Sequence, residues 1–183
     1  MFGLSLALGV GMSQAARQME WLNRGLVAVK TGGGVFLSWR VLGTEGSETG
    51  FNLYRDGEKI ANLSGTQASN YTDAKGTTSS RYSVKAVING KELASDDAVP
   101  VWGEQFLTVN LDRPAGGSDY TYSPNDIAVG DVDGDGEFEL VLKWDPSNSK
   151  DNSQKGKTGN VIIDCYKISG KKLWRIDLGV NIR

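Results

Sequence analysis

Along residues 35–41 the side chains alternate. Val35, Leu37, Trp39 and Val41 point one way, with Phe36, Ser38 and Arg40 between them. A period of two marks a strand that lays one face on a core. Phe51-Asn-Leu-Tyr-Arg55 alternates again and runs into Asp56-Gly57, a pair suited to a tight hairpin turn. Tyr82, Val84, Ala86 and Ile88 share a face, and Asn89-Gly90 predicts the next hairpin. No stretch carries a helical period. From Arg17 to about Val101 the pattern therefore predicts a small antiparallel β-sandwich. A linking strand follows around Phe106 to Leu111, then a loop at 113–119. Four more strand-like runs complete the chain: Asn125–Val129, Phe138–Trp144, Val161–Ile168 and Leu173–Leu178. Four antiparallel strands in sequence are the content of one β-propeller blade.

The Trp39 and Tyr82 strands resemble those of fibronectin type III domains, an architecture that implies no chemistry of its own. The expected fold class is thus all-β. A fibronectin type III-like β-sandwich spans 17–103, followed at 104–183 by a linker and the first blade of a truncated β-propeller. A blade buries both sheet faces against its neighbours, and fewer than about three repeats rarely hold together. The sequence is accordingly expected to be part of a longer protein, the complete form acting as a monomer.

Charge changes the picture at one place. The chain has 183 residues, a formal charge of −2 and a pI near 5.2, which gives no basic face for nucleic acid. From Asp126 to Asp145, however, seven acids stand against one base, Lys143. Such density repels itself unless a cation or solvent relieves it. Its centre is Asp131-Val-Asp133-Gly-Asp135-Gly-Glu137-Phe-Glu139. Calcium takes several hard oxygens at about 2.3–2.6 Å from a loop that wraps it. Aspartates at alternate positions converge when the loop curls, and Gly134 and Gly136 permit the tight backbone. Glu137 can offer its carbonyl, and Glu139 can close the shell. An EF-hand needs a glutamate at position twelve between two helices, but here that position is Leu142 inside a strand pattern. The reading is a strand-flanked calcium loop whose ion neutralises the acids and pins one strand to the next.

The other signals are fewer. Cys165 is the single cysteine, so no intrachain disulfide forms, and its place in a strand pattern reads as a small buried hydrophobe. There is no histidine, which removes His-based triads and His-liganded zinc from these residues. Trp39 and Trp174 are assigned to cores. Residues 1–16 are apolar, then small and polar, and Ser13-Gln-Ala15 fits a small-x-small cleavage site, so a signal peptide and a secreted protein are expected. That run is too short to span a bilayer, and no membrane partner is expected. The polar loop from Asp145 to Gly159 reads either as an Ω-like loop or as a face for saccharide or calcium.

Four stretches taken together resemble the family 11 polysaccharide lyases, the rhamnogalacturonan lyases. They are Arg17-Gln-Met-Glu20 with Arg24-Gly-Leu-Val-Ala-Val-Lys30, Phe51-Asn-Leu-Tyr-Arg55, Tyr122-Ser-Pro-Asn-Asp126 through Gly136, and Lys143-Trp-Asp-Pro-Ser-Asn-Ser-Lys-Asp-Asn-Ser153. The resemblance implies an eight-bladed propeller behind a small β-domain, several calcium ions, and cleavage of the rhamnogalacturonan I backbone of pectin by β-elimination at galacturonate. It matches Asp131, Asp133, Asp135, Glu137 and Glu139 to the family's calcium loop, and Asn125 and Asp145 to the substrate-facing rim. The basic residues expected to move the proton fall in later blades, so no catalytic residue is assigned here. The alternative is a non-catalytic, calcium-stabilised adhesion or pectin-binding module.

Overall fold

The computed structural model describes residues 21–65, 69–151 and 153–179. The apolar segment read as a secretion signal lies outside them. All twelve elements are strands, and no helix occurs among the described residues.

The first unit holds β1 (Val27–Thr31), β2 (Gly34–Ser38), β3 (Gly50–Arg55), β4 (Glu58–Leu63), β5 (Asn70–Asp73), β6 (Arg81–Ile88), β7 (Lys91–Glu92) and β8 (Val99–Trp102). They join in one sheet of order β4-β3-β6-β8-β1-β2-β5, with β7 paired to β6. Both predicted hairpins form, and the central residues of each turn are left-handed. Asp56 and Gly57 have φ of 52° and 85°, and Asn89 and Gly90 have 52° and 75°, the backbone of a type I′ turn.

The all-β expectation holds, but the strands join in one continuous sheet, and the expected antiparallel pairing fails at one strand. β8 runs antiparallel to β6 but parallel to β1, where Ala28 meets Val101 and Val29 meets Trp102. β6 and β1 point in opposite directions, so any strand lying between them must be parallel to one. The two halves bury one shared core. Ala28, Val35, Leu37 and Trp39 meet Phe51, Leu53, Tyr82, Val84 and Ala86, and Trp39 packs edge-on against Phe51 at 5.5 Å between centroids. Each of the larger aliphatic and phenyl side chains contributes about 1.5–3 kcal/mol by leaving water.

A buried carboxylate ties this core together. Asp73 accepts from Tyr82 Oη at 2.8 Å, Arg55 at 2.6 Å and the Lys75 backbone N–H at 3.0 Å. Burial, and then the Asp73 acceptor, push the Tyr82 hydroxyl up to about 12.

The second unit is a meander of β9 (Tyr122–Gly130), β10 (Glu139–Pro146), β11 (Ile162–Lys167) and β12 (Lys172–Asp177), each antiparallel to the next. The four strand runs read from the sequence are these four, with β9 starting three residues earlier. Tyr122, Leu142, Trp144, Ile162 and Tyr166 form its core. Cys165 is fully buried, as its pattern suggests, but Trp174 is only half-buried because it sits on the edge strand β12.

Asp164 lies inside this unit with no exposed surface. It accepts from Trp144 Nε1 at 2.7 Å, Tyr166 Oη at 2.8 Å, and Arg175 Nε and an Arg175 terminal nitrogen, both at 2.7 Å. Tyr166 Oη also accepts from the Asp112 backbone N–H at 3.0 Å, and Arg175 donates to the Asp112 carbonyl. One carboxylate therefore joins three strands and the segment that leads into them. Burial alone would raise the Asp164 pKa, but the bonds from Arg175, Trp144 and Tyr166 outweigh it and hold the group below its ordinary value.

Removing one partner of a buried, hydrogen-bonded ion pair costs about 3–5 kcal/mol. Asp164→Ala is expected to lower stability by about that much in guanidinium denaturation. Because the folded pKa is depressed, the stabilisation is complete above about pH 4 and is lost as pH falls through the folded value. The acid limb of a stability–pH curve is therefore expected to flatten in Asp164→Asn; an unchanged limb would contradict this role.

Candidate functional site

The acidic loop joins β9 to β10, and β-structure fixes both its ends. Gly130 faces Glu139 across the two strands, so the chain must reverse within residues 131–138. It does so through Gly134 and Gly136, at φ of 80° and 89°. Asp131 stabilises the turn from inside. One of its carboxylate oxygens accepts from Gly134 N–H at 2.8 Å and the other from Gly136 N–H at 3.1 Å. Asp135 accepts from Glu137 N–H at 2.9 Å, and Glu139 Oε2 accepts from Val132 N–H at 2.8 Å.

Three of the five sequence candidates come together. One carboxylate oxygen from each of Asp131, Asp133 and Glu139 lies within 4.8 Å of the others. Oxygens that share one calcium at about 2.3–2.6 Å stand no more than about 5 Å apart, so this donor set fits the ion in spacing and in hardness. Glu139 is fully buried at the first position of β10. Asp135 and Glu137 stand outside the trio. Glu137 lines a cavity of 260 Å³ between the two units, beside Arg24 and Asp96.

Lys167 was not among the residues singled out from the sequence. It faces Glu139 in the β10–β11 register, and Nζ lies 2.8 Å from Asp133, 2.5 Å from Asp135 and 3.4 Å from Glu139. The hydrogen bonds to Asp133 and Asp135 raise its pKa above the ordinary lysine value, and the same contact lowers that of Asp135. The only signal in the sequence was a lysine in the strand predicted to pair with the loop's closing strand, and its register could not be read in advance.

The two rim candidates lie on neighbouring strands beside an irregularity. Leu142 pairs with Ile127 and Trp144 with Pro124, so Asn125 and Asp126 both stand opposite Lys143. Such a bulge re-aims side chains. Asn125 is exposed, and Asp145 forms an ion pair with Lys143 at 3.2 Å. The long loop that follows is closed by Asn148, whose side-chain oxygen accepts from Gly159 N–H at 2.8 Å. Tyr122 Oη donates to the Asn160 carbonyl at 2.7 Å.

Comparison with known proteins bears directly on this arrangement. Residues 17–102 match the family described as rhamnogalacturonan I lyases beta-sheet domain. Residues 106–183 match the C-terminal domain of rhamnogalacturonan lyase family 11. The chain is 59% identical over 174 residues to the rhamnogalacturonan endolyase YesW of Bacillus subtilis (strain 168), covering 92% of this chain and 28% of that protein. It is 52% identical over 177 residues to the rhamnogalacturonan exolyase YesX of the same organism, covering 94% and 29%. Against the crystal structure of YesW the TM-score is 0.86 at 58% identity, over 92% of this chain and 30% of that one. The chain thus spans less than a third of the length of the relatives it matches. It belongs to the family 11 rhamnogalacturonan lyases, which are polysaccharide lyases.

Proposed function

We propose that this chain supplies the first β-unit and the first propeller blade of a secreted, calcium-dependent lyase that cleaves the rhamnogalacturonan I backbone by β-elimination at galacturonate. The observation that carries the reading is the convergence of Asp131, Asp133 and Glu139 on a strand-to-strand turn, in a chain whose relatives are rhamnogalacturonan lyases. The edge strand β9 supports the blade assignment, because it leaves Ile127 and Val129 54% and 60% exposed. Side chains of that kind are what an adjoining blade covers. The fibronectin-like description of the first unit and the boundaries at residues 16, 103 and 104 belong to the same proposal.

Within this chain the residues take distinct roles. Asp131, Asp133 and Glu139 hold the ion at the centre of the loop, and Asp135 and the Glu137 carbonyl belong to the same proposed ligand set. Calcium, when bound, supplies positive charge that neutralises the acids and clamps β9 to β10. Asn125 and Asp145 present hydrogen-bonding groups toward the saccharide, and Lys143 fixes the Asp145 carboxylate. The base that takes the C5 proton, next to the galacturonate carboxylate, lies outside these residues. The C4 oxygen leaves and a C4=C5 double bond results.

Asp133→Ala is expected to weaken calcium binding by about tenfold or more in calorimetric titration, since affinity follows the number of charged ligands. Lys167→Met should strengthen it by roughly fivefold at low ionic strength, because a neighbouring positive charge opposes a divalent cation, and the gain should shrink with added salt. Equal affinities in wild type and Lys167→Met would contradict that placement of the lysine. For the lyase itself, a protein of the relatives' full length, given calcium and rhamnogalacturonan I, is expected to raise the ultraviolet absorbance of the new double bond. No rise would overturn the activity.

A further inference from the structure

The acidic loop touches the first unit through a backbone hydrogen bond and a ring contact as well as through its acidic side. Asn23 N–H donates to the Gly136 carbonyl at 2.9 Å. Gly136 is buried, and a Cβ there would lie 2.9 Å from the Trp21 carbonyl and 3.2 Å from the Asn23 nitrogen. Position six of the loop is therefore restricted twice, by its left-handed φ of 89° and by another part of the chain lying against it. Two residues on, the Arg40 guanidinium stands 4.2 Å from the centroid of the Phe138 ring.

Those contacting residues are themselves held in place. Arg40 N–H donates to the Arg24 carbonyl at 2.8 Å, and its guanidinium donates to the Asn23 carbonyl at 3.3 Å. The Asn23 side chain accepts from Gly25 N–H at 2.7 Å. A braced pair from the first unit thus grips the loop at residues 136 and 138. These flank Glu137, whose carbonyl is the loop's seventh position, and lead directly into the buried Glu139.

We propose that Asn23 and Arg40 are positioning residues for the cation loop: the first β-unit holds residues 136–138 in the conformation that binds the ion. The inference rests on the calcium reading of residues 131–139 and adds a dependence between the units. A loop already ordered loses less conformational freedom when the ion arrives, so it binds more tightly. By linkage the effect is reciprocal, and the ion tightens the seam between the two units by the same factor. A contact that merely glued the units together would stabilise the protein equally with or without calcium.

The test is calorimetric titration of the full chain with calcium in wild type, Arg40→Ala, Arg40→Lys, Phe138→Leu and the double variant Arg40→Ala/Phe138→Leu. Hydrogen exchange at the Asn23 amide is followed alongside. Arg40→Ala is expected to weaken calcium binding by about three- to tenfold, the range of a cation–π contact at a partly exposed site. The double variant should lose little more than either single one, and Arg40→Lys, which keeps a cation over the ring, should recover most of the affinity. Calcium should slow exchange at Asn23 in wild type and less so in Arg40→Ala. Wild-type affinity in both Arg40→Ala and Phe138→Leu, or an Asn23 amide indifferent to calcium, overturns the positioning role and leaves the calcium loop standing. If wild type takes up no calcium at all, both fall. Should Arg40→Ala fail to fold, the Phe138→Leu and Arg40→Lys pair carries the same comparison.

Discussion

Glu139 carries a carboxylate with no exposed surface, at the end of a turn already crowded with acids. Taking a charged group out of water costs several kcal/mol unless hydrogen bonds and an opposite charge offset it. The Val132 N–H supplies one of those bonds, and Lys167 approaches from the neighbouring strand. Asp131 and Asp133 then bring further negative charge within 4.8 Å. A single ammonium has three protons and one charge to share among these groups. A divalent cation answers the same electrostatic demand more completely, and the hardness and spacing of the oxygens favour it. The loop that carries these groups joins Gly130 to Glu139 and so fixes where β10 begins and how it pairs with β9.

Buried carboxylates recur as cross-links in this small all-β chain. Asp73 collects donors from β3, β6 and the turn after β5. Asp164 collects them from β10, β11 and β12 and, through Tyr166 and Arg175, holds the segment at Asp112. Glu92, which is only half-buried, gathers donors in a similar way, and Tyr54, Asn52 and Lys85 together bring its pKa down to about 2. Such groups add less net stability than apolar side chains of equal volume, but they define which strands meet and in what register.

Much of the architecture was legible because local chemistry determined it. Asp56-Gly57 and Asn89-Gly90 could hardly be anything but tight hairpins, and alternation correctly selected Val35, Leu37, Trp39, Tyr82, Val84 and Ala86 for burial, whereas Val41, expected on the same face, is exposed because β2 ends at Ser38. The acidic turn was legible for the same reason, with its acids and glycines all within nine residues. Other features depend on long-range register and left no local trace. The parallel pairing of β8 with β1 follows from strand directions set far away. Lys167 reaches the loop only because it lies opposite Glu139, 28 residues distant. The Arg40–Phe138 contact crosses between units, and Trp174, on a strand-like pattern, is half-exposed because its strand is an edge. Asn125 and Asp145 were read from resemblance. The bulge opposite Lys143 adds a physical reason for their strands to be irregular there.

The charge geometry motivates one proposal, that a divalent ion rather than lysine alone neutralises the loop. Diffraction from crystals of the folded protein grown with calcium tests it most directly. The account predicts density bound by oxygens of Asp131, Asp133 and Glu139 at about 2.3–2.6 Å, with Lys167 displaced toward Asp135. Well-ordered carboxylates with no ion among them, and Lys167 still bridging Asp133 and Glu139, would contradict it.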